Sequence, residues 1–458
     1  MATYLTRTPT STTDAQRKTW TYSVWIKPSN IISSGNGGEF AWIYQASGGS
    51  NAYVRMDSNY KIRYRDYTNG GSPDYLRITD RLFRDPSAWY HVVLRNDTTQ
   101  STAADRVRLY VNGELQEWQN ATQPAQNHVG FINSTFPVQI GESSSNALRG
   151  SYLSQVIMCA GQSYAPTVFG STDANGIWVP NSQPSITYGT NGFKLDFAGT
   201  GASADASGFG ADSSGNNNHF ASTGLGTNPS TTDTCQNNFC TLNAIYADEG
   251  NNISGSDFSK GNLEYTTSID GWRFGRGTFS FSAGKWYIEG KATKTGNGQV
   301  SNLALVSVDD TGDVNGSSEG LRIDLNGSNT ILQKLDTGTG TTVFSNFNSG
   351  NIAQLAVDLD SGKVWVGNNG TWYNNNNAST TLNPSYPDFT IDTTKTWVPC
   401  IAASRNGSDN TTWQINFGNP TYTVASGNAD ANGYGNFEYA VPSGFYALCT
   451  KNLAAYGG

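Results

Sequence analysis

RVRLYVNGELQEW, residues 106–118, decides the fold class. Val107, Leu109 and Val111 alternate with Arg106, Arg108 and Tyr110, the two-residue period of a strand with one apolar face. Asn112 and Gly113 follow, and a second extended run begins after them. Asn-Gly tolerates the positive φ angles of a type I′ turn, whose twist matches that of paired strands. The stretch reads as a β-hairpin with one greasy face and one cationic face. It carries no catalytic group.

The same rhythm extends outward from the hairpin. In TWTYSVWIKP (19–28), Trp20, Tyr22, Val24 and Ile26 share one face. FAWIYQ, AYVRMD, KIRYRDY, WYHVVLRN, PVQIGE, YLSQVIMCA and FKLDFAG are further strands, with Gly, Asn and Ser turns between them. Pro166 in APTVFG suits the first position of a one-turn helix. From residue 257 the strands return: SAGKWYIEGKAT, VSNLALVSVDD, GLRIDL, ILQKL, IAQLAVDLDSGKVWVGNNGTWY, WVPCIAAS, TTWQINFG and GFYALCT. Asp360-Ser361-Gly362 and Asn368-Asn369-Gly370 each close a tight turn. The fold class is all-β: two antiparallel, jelly-roll-like sandwiches, at 1–199 and 257–458. Residues 200–256, rich in Gly, Ser and Asn, read as the connector, with HF, NFCTLNAI and IYADE as patches able to dock on a neighbour.

Composition narrows the function. The 458 residues hold 36 acidic and 28 basic side chains, a net charge of −8. That balance disfavours a nucleic-acid partner. Charge is uneven: residues 1–160 hold 15 Lys+Arg against 12 Asp+Glu, and the remainder holds 13 against 24. No apolar run has the length of a membrane span, so membrane insertion is not expected, and MATYLTRTPTSTTD shows no secretory h-region. The five cysteines, an odd and sparse set, read as reduced thiols.

At WTYSVWIKPS (20–29), DPSAWYHVVLRNDTT (85–99), RVRLYVNGE (106–114) and GIWVP…YGTNGFKLDF (176–197), the chain resembles the concanavalin A-like lectin/laminin-G sandwich of bacteriophage virion proteins. DSSGNNNHF (212–220) and NNFCTLN (237–243) resemble the connector that trails that module. GKWYIEG (284–290), AVDLDSGKVWVGNNGTWY (356–373), INFG (415–418) and PSGFYALCTKNL (442–453) resemble a SPRY-type sandwich. The resemblance implies a fibre-like structural protein of a tailed phage, made in the host cytoplasm and assembled into the virion. Its implied partners are other virion proteins and a host-surface polysaccharide, and a homo-oligomer, with a trimer favoured. The alternative is a capsid decoration or scaffold protein with no ligand of its own.

Chemistry is not expected. Glycosidases of the lectin-like fold need paired carboxylates on one strand face. None of the nine glutamates is followed two positions later by Asp, and Glu114 and Glu117 point to opposite faces. His91 reads as structural, while His128 and His219 lack metal-ligand spacing. No cofactor is implied. The acidic loop VDDTGDVNGSSEG (308–320) is a candidate for calcium, although Val314 stands in place of the glycine an EF-hand requires and the Asp/Gly/Asn content also suits a turn. The binding candidates are aromatics beside amides, which suit sugar rings: Trp372 and Tyr373 after the Asn368–Asn369 turn, and Tyr67 beside Asn69. A row of cations is added by Arg63, Arg65, Arg106 and Arg108 with Lys61, on the expectation that both strands share one sheet.

Overall fold

Asn112 at φ 51° and Gly113 at φ 81° form the left-handed pair of a type I′ turn. Val111 pairs with Glu114 across it, and Tyr110 with Leu115. A Cβ on Gly113 would lie 2.6 Å from the Trp178 ring, so glycine is required for space as well as for φ. The computed structural model describes residues 4–29, 40–57, 59–68, 75–119, 122–141, 151–181, 183–225, 230–245, 258–266, 271–294, 301–309, 320–325, 329–334, 340–345, 347–405 and 410–457.

The chain divides into two compact units, 1–230 and 231–458. The first contains β1 (Tyr4–Arg7), α1 (Asp14–Lys18), β2 (Thr19–Pro28), β3 (Phe40–Ser47), β4 (Ser50–Met56), β5 (Ile62–Tyr67), β6 (Tyr75–Ile78), β7 (Tyr90–Asp97), β8 (Val107–Val111), β9 (Glu114–Leu115), β10 (Val138–Ile140), β11 (Ser151–Ala160), β12 (Gly170–Thr172), β13 (Trp178–Pro180), β14 (Phe193–Leu195) and β15 (Ala221–Thr223). One sheet runs β15-β1-β10-β3-β4-β5-β6, the other β14-β11-β2-β7-β8-β9. Trp20, Tyr22, Val24 and Ile26 enter the core together with Val107, Leu109 and Val111. Each such side chain contributes ~1.5–3 kcal/mol on burial. The short helix α1 has a capping box of Thr13 and Gln16, and Pro166 opens a one-turn 3₁₀ helix over Pro166–Val168.

Parts of the 200–256 segment pack into the cores of the two units. Phe209 and Phe220 belong to the first unit's core, and β15 pairs with β1 as the edge of its sheet. Phe239, Cys240 and Leu242 are buried in the second unit. Gly-, Ser- and Asn-rich composition marks irregular backbone, which these side chains anchor; it does not mark a free linker. Residues 246–257 lie outside the described residues.

The second unit holds β16 (Phe258–Ser259), β17 (Glu264–Thr266), β18 (Gly271–Arg276), β19 (Lys285–Lys294), β20 (Ser301–Ser307), β21 (Gly320–Leu325), β22 (Asn329–Lys334), β23 (Gly340–Ser345), β24 (Ile352–Asp358), β25 (Lys363–Asn368), β26 (Thr371–Trp372), β27 (Phe389–Thr390), β28 (Trp397–Arg405), β29 (Thr411–Asn416), β30 (Tyr446–Ala447) and α2 (Thr450–Tyr456). One sheet runs β16-β17-β29-β19-β24-β25-β26, with β27 on β25 and β30 parallel to β19; the other runs β18-β28-β20-β21-β22-β23. Trp286, Ile288, Leu303, Leu305, Leu355, Ile401 and Trp413 lie in the core. No helix among the described residues is long and apolar enough to cross a membrane.

Both units cover an outer sheet face with long irregular chain. In the first, Phe169, Tyr164, Val168, Ile186 and Tyr188 pack on Val93, Ile157, Cys159 and Tyr110. In the second, Phe437, Phe445 and Cys449 pack with Tyr287, Trp365 and Trp372. One aspartate device shapes turns in both covers and between β4 and β5. Asp57, Asp173 and Asp430 each accept the N–H groups of residues two and four further on, at 2.8–2.9 Å. No disulfide links the five cysteines.

Candidate functional site

Alternation on β4 and β5 builds the candidate surface. Ala52 and Val54, with Ile62 and Tyr64, turn into the core. Asn51, Tyr53 and Arg55, with Arg63, Arg65 and Tyr67, therefore stand on the opposite face. The register sets Asn51 against Tyr67, Tyr53 against Arg65 and Arg55 against Arg63. Tyr44 on β3 continues the row beside Tyr53, and Gln139 on β10 lies beside Tyr44.

The side chains hold one another in place. The Arg55 guanidinium lies 4.0 Å from the Tyr53 ring centroid, and that of Arg65 4.7 Å from the Tyr67 ring. Arg65 Nη1 donates to Asn51 Oδ1 at 3.3 Å. Directly opposed like charges are unfavourable in a sheet. At the Arg55–Arg63 pair, the buried Asp57 carboxylate lies 2.7 Å from Arg63 Nε. Tyr53 is buried, while Tyr44, Asn51, Arg55, Arg63, Arg65 and Tyr67 are half-buried. Chemically this is a sheet face of tyrosine rings, guanidinium groups and amides, the set that meets the C–H face and the hydroxyls of a sugar. Asn51, Tyr53 and Arg55 are missing from the sequence candidates. The signal was present, since AYVRM alternates in the same phase as KIRYRDY, but pairing of β4 with β5 is non-local information.

The structure separates the expected row of cations. β5 lies in the seven-stranded sheet and β8 in the six-stranded one, so Arg63 and Arg65 do not share a face with Arg106 and Arg108. Arg106 lies just before β8 in helical backbone. Its guanidinium donates to the carbonyls of Gln100, Ser101 and Pro124 at 2.8–3.0 Å, clasping two loops. Arg108 pairs with Asp105, and Tyr110 packs under the 161–190 cover. The hairpin's second face is thus covered at Tyr110, while Arg108, held by Asp105, stands half-exposed opposite Arg95 of β7. Trp372 is also corrected: it is 3 % exposed and packed among Tyr287 and Trp365, because chain from the C-terminal third covers that sheet face. Tyr373 is half-buried against the second core. Asn69 lies outside the described residues, as does most of the 308–320 loop that is the calcium candidate. Among the described residues, no cluster of three or more His, Cys, Asp or Glu could hold a metal.

His91 and Glu289 look chemical in isolation. Trp178 Nε1 donates to His91 Nδ1 at 2.9 Å, so Nε2 carries the proton and donates to Ser23 Oγ at 2.8 Å. The imidazole stacks on Trp25, with centroids 4.7 Å apart, and Trp178 lies nearly parallel at its edge. Burial pushes its pKa down to about 3, so it is neutral and fastens the 161–190 cover. Glu289 is fully buried. Its two oxygens accept from the Tyr287 and Tyr422 hydroxyls, Asn416 Nδ2 and the backbone N–H of Glu438 and Tyr439, at 2.8–3.2 Å. Desolvation raises its pKa against the opposing effect of four of those donors, the Tyr439 and Glu438 N–H groups and the Tyr422 and Tyr287 hydroxyls. A carboxylate so saturated ties residues 422–439 onto β19 and has no lone pair directed at solvent.

Residues 3–155 match the model of the concanavalin A-like lectin/glucanases superfamily. The match contains all of β3, β4 and β5. Solved structures give weaker likenesses. The SPRY domain of human HERC1 is 14 % identical, over 33 % of this chain and 87 % of that one, with a TM-score of 0.26. The CBM40 of the Ruminococcus gnavus IT-sialidase, bound to α2,3-sialyllactose, is 13 % identical, over 36 % and 91 %, at 0.27. Domains LG4-5 of the mouse laminin α1 chain are 9 % identical, over 89 % and 84 %, at 0.27. No curated protein matches the sequence.

Proposed function

We propose that this chain is a glycan-binding attachment protein whose contact surface is the outer face of β3, β4 and β5. The observation that carries the reading is the register itself: Tyr44, Tyr53 and Tyr67 interleave with Arg55, Arg63 and Arg65 and with Asn51, on strands inside the segment that matches the lectin superfamily model. Tyr44 and Tyr67 supply stacking area, Tyr53 being buried against Arg55, and guanidinium and amide groups supply directed donors. The chain works by binding, without hydrolysis. In support, Glu289 and His91, two fully buried ionisable groups of catalytic type, are consumed in structural hydrogen bonds.

We further assign the chain to a tailed-phage virion as a fibre-like appendage that meets a host-surface polysaccharide, in a homotrimer. That assignment rests on the sequence resemblance described above. The test is an array of acidic and neutral microbial polysaccharides probed with the full chain. Tyr67→Ala combined with Arg65→Gln should weaken the strongest hit by about tenfold or more, some 1.4 kcal/mol. Arg106→Ser with Arg108→Ser should leave specificity unchanged. Equal binding by the Tyr67/Arg65 variant would remove this face from consideration. Immunogold labelling of phage particles tests the virion assignment separately.

A further inference from the structure

The register of the seven-stranded sheet lines up more than the three strands of the proposed face. On its outer side, Thr6 of β1 stands against Gln139 of β10, and Gln139 against Tyr44 of β3. Tyr44 stands against Tyr53 of β4, Tyr53 against Arg65 of β5, and Arg65 against Leu76 of β6. Directly paired residues share a face, so these positions form one unbroken row across the strands. Neighbouring strands lie about 4.8 Å apart, which makes the row about 24 Å long. No path along the strands matches it. The outward positions of β4, from Asn51 to Arg55, and of β5, from Arg63 to Tyr67, each span only about 14 Å. The alternation of β3 breaks at a bulge between Ala41 and Ile43, where Trp42 turns into the core.

The row has two chemical halves. At one end, Thr6, Gln139 and Tyr44 are half-buried, and their side-chain polar groups have no hydrogen-bond partner among the described residues. At the other end, Arg65 stands beside the paired Arg55 and Arg63. No Asp or Glu occupies any of these outward positions. The Asp57 carboxylate at the cationic end is buried against Arg63. The other sheet of this unit has its outer face roofed by the 161–190 segment. Here, by contrast, every position of the row except Tyr53 is half-buried.

Resting on the reading of this face as a glycan contact, we propose that it takes an internal stretch of a linear acidic polysaccharide, laid across the strands from β5 to β1. Arg65, with Arg55 beside it, meets an acidic sugar. Tyr44, Gln139 and Thr6 take the rings and hydroxyls of the sugars that follow. Strand spacing sets the footprint at about five sugars, one per interval. Contacts repeated from strand to strand suit the repeat of a chain interior, whereas a single terminal sugar is gripped from several sides by a concave pocket. Guanidinium groups favour carboxylate or sulfate over neutral hydroxyls, by charge and by paired donor geometry. An acidic polymer meets no opposing carboxylate along this path.

The experiment titrates the full chain with size-graded oligomers of polygalacturonate, polymannuronate and hyaluronan, from the dimer upward. At least one series should bind, with affinity rising with length and levelling off near about five sugars. Binding should weaken as salt rises past about 0.15 M. The decisive variant is Thr6→Ala with Gln139→Ala, at the end of the row remote from Arg65. It should lose about tenfold or more in affinity for the long oligomers, none for the dimer, and keep the wild-type unfolding midpoint. Gln139→Glu places a carboxylate in the path, so its loss should be largest at low salt and shrink as salt rises. A dimer that binds as tightly as the long oligomers overturns the proposal, as does full retention of affinity by the Thr6/Gln139 variant. Either confines the ligand to β4 and β5, and a loss in the Tyr67/Arg65 variant then leaves the glycan reading standing. Equal, salt-insensitive binding of dextran or laminarin overturns the acidic class. Absence of binding in all three series overturns the proposal, and the polysaccharide array with the Tyr67/Arg65 variant decides the wider reading by itself.

Discussion

His91 shows how one buried residue couples a cover to its sheet. The ring accepts from Trp178 and donates to Ser23, an arrangement available only to the neutral imidazole. Desolvation holds the folded pKa near 3, whereas the unfolded chain titrates at the ordinary 6.5. Between those values the unfolded state binds a proton that the folded state does not. Stability of the first unit therefore rises with pH across this window, and acidification removes up to about 1.4 kcal/mol per pH unit. Denaturant midpoints at pH 4 and pH 7 test this. His91→Phe keeps the stacking and strands two polar partners, so it should cost about 1–3 kcal/mol at pH 7. The gap to wild type should close as the pH falls. A constant gap would mean that His91 is charged in the fold.

At the scale of elements, the β8–β9 hairpin serves as a seat for the 161–190 cover. Its turn contacts Trp178, its Tyr110 packs beneath that cover, and Asn112 Oδ1 accepts His91 N–H at 2.8 Å. Gly113→Val places a β-branched residue at φ 81° and drives its Cβ into the indole. The expected destabilisation is about 2–4 kcal/mol, read as a shift in unfolding midpoint. Gly176, also left-handed at φ 81° but with open space around its Cβ, is the control: Gly176→Val should cost only the backbone part. Equal effects at both positions would show that Trp178 yields freely.

For the whole molecule, the boundary between units is set by packing and not by composition. A fragment of residues 1–199 lacks Phe209, Phe220 and the edge strand β15. A fragment of 257–458 lacks Phe239, Cys240 and Leu242. Expressed separately, 1–230 and 231–458 should each give a cooperative unfolding transition. The shorter pair should be soluble only in part or lose cooperativity, since deleting two buried phenylalanines removes several kcal/mol. Cooperative unfolding of 1–199 at the midpoint of 1–230 would restore the segment after residue 199 to the status of linker.

Strand identity, inward faces and the type I′ turn are legible in the sequence, because they depend on a two-residue period and on dipeptide chemistry. Val107, Leu109, Val111, Trp20 and Tyr22 entered the core as their alternation required. Sheet membership was not legible. It joins residues as distant as Tyr4 and Thr223, and it placed Arg65 and Arg108 on different sheets. Nor was the covering of outer faces, which buried Trp372 and gave His91 and Glu289 their partners. The candidate face was half visible, as Arg63, Arg65 and Tyr67. Its other half, Asn51, Tyr53 and Arg55, was joined to it only by the hydrogen-bonded register of β4 against β5. Periodicity is local and survives in the chain itself, whereas adjacency is a property of long-range pairing and has to be built.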